Sequence, residues 1–175
     1  MHKVVSAVTV GSVGDLGRIA RRLADNGYNI NAVGGGEGSA LGGSVGIISL
    51  LVTPDEDDQA LLGLLQDMPL DGGRTLQDVV IHPALDVELV DEPGQLATVG
   101  EVLGEAGINI MAVQSVDVHL DWAHVSVAFE SEAIRDQAQD ILVGAGIRVL
   151  PEHGARRRRE QVDRILRGIR KGDDV

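Results

Sequence analysis

The sequence predicts an α+β protein of two βαββαβ units in tandem, each an antiparallel sheet with helices on one face, followed by a C-terminal helix. Three observations carry this expectation. Displacing the chain by 80 residues lays Gly14 to Val33 on Gly94 to Val113 without a gap, and eight of the 20 pairs are identical. Each copy then shows the same order of strand-like and helix-like periodicity. With 43% apolar residues in 175, the chain can bury two small cores.

The elements follow in order. Residues 3–10 and 84–90 are short runs with β-branched residues and partial alternation, hence first strands. Turns follow, Gly11-Ser12-Val13-Gly14 in one copy and Asp91-Glu92-Pro93-Gly94 in the other. Helical spacing comes next, at Leu16, Ile19, Ala20 and Leu23, and at Leu96, Val99, Val102 and Leu103. Gly27 and Gly107 stand where a helix ends in a left-handed residue. Second strands begin at 29–33 and 109–113, and third strands span 45–52 and 125–129. Acids at Pro54-Asp55-Glu56-Asp57, and Ser131-Glu132, open second helices. Residues 75–81 and 147–150 close each unit as a fourth strand. The order is the split βαβ arrangement of ferredoxin-like folds, whose bare sheet face must be covered by a second unit or subunit.

Charge and composition narrow the function classes. Residues 1–150 hold 22 acids against seven bases, whereas the last 25 hold eight bases against five acids. So acidic a body repels phosphate polymers, and a nucleic-acid role is not expected. No apolar run reaches the ~20 residues of a membrane span, and no signal-peptide pattern opens the chain, so a cytoplasmic location is expected. Without cysteine there is no disulfide, thiolate metal site or thiol nucleophile. No triad, zincin motif or spaced carboxylate pair forms a catalytic set, and neither a cofactor nor a metal is expected.

The loop Asp91-Glu92-Pro93-Gly94-Gln95-Leu96, a helix ending near Gly107, and Asn109-Ile110 resemble the ACT domain family, small regulatory modules that bind amino acids. The likeness extends over about residues 3–150 and implies two ACT domains, 1–82 and 83–151, with 152–175 as a basic amphipathic extension. It also implies an amino-acid effector held where domains meet, a homo-oligomer, expected to be a dimer, and an enzyme or regulator as the receiver of the signal.

On that resemblance the second copy offers Asp91, Pro93, Gly94, Gln95, Leu96, Asn109 and Ile110 as ligand-binding residues. The first copy retains Gly14, Leu16, Asn29 and Ile30 but has Gly11 and Val13 where the Asp and Pro stand, leaving Asp15 or Asn31 to meet an ammonium group. The chemistry suits these residue types. Backbone N–H groups at a helix start attract a carboxylate, and an Asn amide both donates and accepts. A proline and glycine entering a helix also serve as a plain turn, so a structural module without ligand stays open.

Three other features need a reading. Gly34 to Ser44 lacks a phosphate-loop pattern and is expected to be a long hairpin connection. Asp117, His119, Asp121 and His124 crowd the second copy's hairpin, where alternate residues make a solvated face more readily than a metal site. In 154–171, Val162, Ile165, Leu166 and Ile169 form one helical stripe among arginines, fitted to packing on the acidic body or a second subunit.

Overall fold

The computed structural model describes residues 2–9, 14–40, 43–53, 57–118 and 121–150. The first unit contains β1 (His2–Thr9), α1 (Asp15–Asp25), β2 (Asn29–Ala40), β3 (Gly43–Thr53) and α2 (Asp58–Leu65). A long strand, β4 (Gln77–Val90), leads into α3 (Gln95–Glu105), β5 (Ala112–Val118), β6 (Trp122–Ala128), α4 (Glu132–Gly144) and β7 (Arg148–Leu150). The strand order is β2-β3-β1-β4-β6-β5, with β7 also on β4, and every pair is antiparallel. The α+β class, the element order and the repeated βαββαβ pattern are those the sequence predicts.

Local chemistry explains the helices. Gly14 and Gly94 precede α1 and α3 with φ of 96° and 98°, a left-handed turn that costs a residue with a Cβ and glycine almost nothing. Asp57 caps α2 by accepting the Ala60 N–H at 2.9 Å, and Ser131 caps α4 by accepting that of Ile134 at 3.4 Å. Each unit encloses its own apolar core. Ile19 and Leu23 of α1 meet Val5, Leu50, Val52, Leu61 and Leu65 in the first. Val99 and Leu103 of α3 meet Val87, Val125, Val127, Phe129 and Leu142 in the second.

Two expectations about strands are corrected. Residues 75–81 and 84–90 were expected as separate strands, but 77–90 form one, shared by both units. Val79 and Ile81 face the first core while Leu85, Val87 and Leu89 face the second, so the alternation runs unbroken through the buried Pro83. That proline still serves the structure, because its carbonyl accepts the Phe129 N–H at 2.9 Å.

The glycine-rich stretch is strand rather than loop. Gly34 to Gly38 pair with Ser49 to Val45, and the connection shrinks to residues 41–42, outside the described set. At Gly35 the reason is close backbone approach. A Cβ there would lie 2.5 Å from the Ile47 carbonyl oxygen.

The bare sheet faces cover each other. The strand order ends in β2 and β5, yet these two strands are in contact, so the sheet folds over on itself about β4. Val4, Leu51, Ala84 and Ala128 form a third buried cluster, flanked by Ala32, Ala112 and Val116. Lys3 ties the units together from outside this layer, its Nζ lying 3.1 Å from Asp58 and 2.9 Å from Glu132 at the starts of α2 and α4. The helix expected at 154–171 lies outside the described residues.

Candidate functional site

The residues singled out in the sequence fall into two pairs of places. Gly94, Gln95 and Leu96 begin α3, with Asp91 and Pro93 just before it; Asn109 and Ile110 lie beyond its other end. The helix has 11 residues, so about 16 Å of axis separates the loop from the asparagine. The same holds in the first unit. Gly14, Asp15 and Leu16 begin α1, whereas Asn29, Ile30 and Asn31 follow its end and open β2. Neither unit therefore brings its own loop and its own asparagine to one small ligand.

Their surroundings differ. Asp91, Glu92, Pro93, Gly94 and Asn109 are exposed, Gln95 is half-buried, and no side chain caps the start of α3. Leu96 is 51% exposed, a large apolar side chain presented beside that start. Ile110 instead packs against the second core, and Ile30 against the first. Asn109 Nδ2 contacts Met111 Sδ at 3.5 Å, a weak acceptor. In the first unit Asp15 is buried and faces the Arg74 guanidinium at 3.6 Å. Asn29 donates to Asn31 at 3.0 Å, and Asn31 donates to the Thr53 hydroxyl at 3.0 Å. The first unit's polar residues are thus engaged internally, while the second unit's loop faces outward.

A further polar arrangement was not legible in the sequence. Asp86, His124, Ser126 and Gln114 all lie on the inter-sheet face and are each at least nine-tenths buried. They alternate with Leu85, Val87, Val125 and Val127, which face the second core. Gln114 Nε2 donates to Ser49 Oγ across the sheets at 2.9 Å, and His124 Nε2 lies 3.5 Å from Asp86 Oδ2. The expectation of a solvated hairpin face is corrected at His124: it points between the sheets because the first unit covers that face. His119 lies outside the described residues, and among those described no three His, Asp or Glu side chains gather as a metal site. His82 completes the layer. Its burial holds its pKa below the usual 6.5, against a hydrogen bond with the Phe129 main chain that acts the other way.

Two βαββαβ units joined face to face through a shared strand define a class of small, paired α+β modules. Residues 84–143 match the ACT domain family, so the second unit is an ACT domain, and the first repeats its fold. No curated protein matches the chain in sequence. Among solved structures, the regulatory subunit of aspartate kinase from Thermus flavus is 15% identical with a TM-score of 0.57, over 82% of this chain and 92% of that one. The ligand-free regulatory subunit of aspartate kinase from Thermus thermophilus is 16% identical with a TM-score of 0.55, over 82% and 92%. A protein from Bacteroides thetaiotaomicron is 19% identical with a TM-score of 0.56, over 85% and 90%. What these share with the chain is the fold. Among the described residues no helix is long and apolar enough to cross a membrane.

Proposed function

We propose that this protein is a non-catalytic regulator made of two ACT units, 1–82 and 83–151, with a basic extension at 152–175. It binds an amino acid and passes the signal to a separate enzyme or regulator, as a cytoplasmic homo-oligomer. The observation that carries this reading is the outward-facing loop 91–96, with an uncapped helix start, an exposed carboxylate and a bare glycine turn. Backbone N–H groups there suit the ligand's carboxylate, and Asp91 suits its ammonium group. Because Asn109 stands at the far end of α3, the asparagine completing the site comes from another unit, across an interface between two chains. The regulatory subunits among the structural neighbours support a regulatory role, by fold analogy.

A thermal-shift screen against the twenty amino acids tests this. One of them should raise Tm, since a ligand at ~100 times its Kd adds ~2.7 kcal/mol. Asp91→Ala and Asn109→Ala should each remove the shift. No response to any amino acid would sink the sensor reading. It would favour the second one, a ligand-free interaction module or separate regulatory subunit. The bare sheet faces, already covered within one chain, fit that alternative.

A further inference from the structure

We propose that a groove on the first unit, between α1 and the Met68-Pro69 segment, binds a small phosphorylated molecule. The groove is an open depression of about 580 Å³ walled by Arg18, Arg21 and Arg22, with Gly17, Met68 and Pro69 along it. That volume lies in the ~300–1,000 Å³ range of small-molecule sites. Three of the seven bases in the first 150 residues stand on this one helix, in a body with 22 acids.

The fold does not ask for arginine at 21 and 22. The second unit builds the equivalent helix with the same 11 residues and buries the equivalent pair, Val99 and Leu103 for Ile19 and Leu23. At the positions 80 residues on from Arg18, Arg21 and Arg22 it carries Thr98, Glu101 and Val102. Arg18 with Arg21 and Arg22 are like charges at i,i+3 and i,i+4, a spacing that destabilises a helix. Among the described residues Arg21 and Arg22 pair with no carboxylate, although Asp25 also borders the groove. A bound anion would offset the charge of Arg21 and Arg22.

Several guanidinium groups along one groove favour phosphate over a single carboxylate. Each fork meets two oxygens in one plane, and a phosphorylated group offers more charge and more acceptors. Gly17 borders the groove without a side chain, and a Cβ there would stand in open space. The groove belongs to the first unit and the proposed amino-acid loop to the second, so either can fail without the other.

Isothermal titration of the full chain with pyrophosphate at ~0.15 M salt tests the groove. The key variant, Arg18→Thr/Arg21→Glu/Arg22→Val, installs the residues the second unit already uses. The wild type should bind, and the variant should bind at least ~10-fold more weakly. Arg148→Gln, on the other unit, should leave binding unchanged. Should the triple variant unfold, as judged by circular dichroism, Arg21→Gln alone should still weaken binding and reduce its salt dependence. Equal binding by wild type and variant would move the anion to the arginine-rich segment 156–171 and overturn the proposal. So would a wild type that ignores pyrophosphate but binds a poly-glutamate peptide, which would make the groove a dock for an acidic protein segment.

Discussion

The two units share a frame and differ in what they hang on it. Both begin their first helix with a glycine at nearly the same left-handed φ, and both run it for 11 residues. Both end it the same way, with the Gly27 N–H on Ala24 and the Gly107 N–H on Gly104, each at 3.0 Å. Yet one helix is arginine-rich over a groove and the other acidic. One loop is followed by a buried, engaged Asp15, whereas the other exposes Asp91. The strands diverge too: β2 and β3 have 12 and 11 residues, β5 and β6 seven each. The repeat preserves turns and core positions, where backbone geometry and close packing tolerate little change. Surface residues are free to diverge, and function follows them.

The sharpest way to break this comparison is at the matched cores. Leu23 and Leu103 are both fully buried, so Leu23→Ala and Leu103→Ala should each cost ~2–5 kcal/mol in urea unfolding. A much smaller loss at one site would mean that its unit packs more loosely. Next in size, Gly14→Ala and Gly94→Ala should each destabilise by ~1–2 kcal/mol, since both force a Cβ into a left-handed turn. Unequal costs would show that one turn can relax.

Smaller effects probe what joins the units. Lys3→Met removes the cation between Asp58 and Glu132 and should cost about 1 kcal/mol, the carboxylates being nearly half exposed. Burial alone would lower the Lys3 pKa, but its hydrogen bonds and charge contacts with Glu132 and Asp58 outweigh this and raise it above 10.5. The stabilisation is therefore complete below pH 10.5 and is lost as pH climbs through the raised value. Lys3→Met should flatten that alkaline limb of a stability profile, and an unchanged limb would clear Lys3 of the role.

The smallest effect is expected at His82. Its pKa is lowered on folding, so the stability linked to its neutral form is full above pH 6.5 and declines as pH falls through the folded value. His82→Gln should reduce the loss between neutral and mildly acid pH. An identical acid limb would clear His82 of the role.

Much of the frame was legible because it rests on local rules. Helical spacing at Ile19, Leu23, Val99 and Leu103, glycines at turn positions and acids at helix starts need only neighbours along the chain. The glycine run at 34–38 misled for a physical reason: glycine marks turns in most sequences, but here Gly35 admits a backbone oxygen 2.5 Å from where a Cβ would stand. His124 misled likewise, since alternation shows which residues share a face but not what covers that face. The arginines of α1 were visible as letters, yet nothing nearby in sequence announced Met68 and Pro69 as the opposite wall.

By itself, then, the sequence determined the repeat, the βαββαβ pattern, the apolar faces of the two cores and the glycine turn at each first helix. These depend on periodicity and backbone conformation, which act over a few residues. Only the tertiary structure decided that β4 serves both units and that Asp86, Gln114, His124 and Ser126 are sealed between sheets. Those outcomes depend on how two curved sheets close over each other, through contacts such as Gln114 to Ser49 made 65 residues apart.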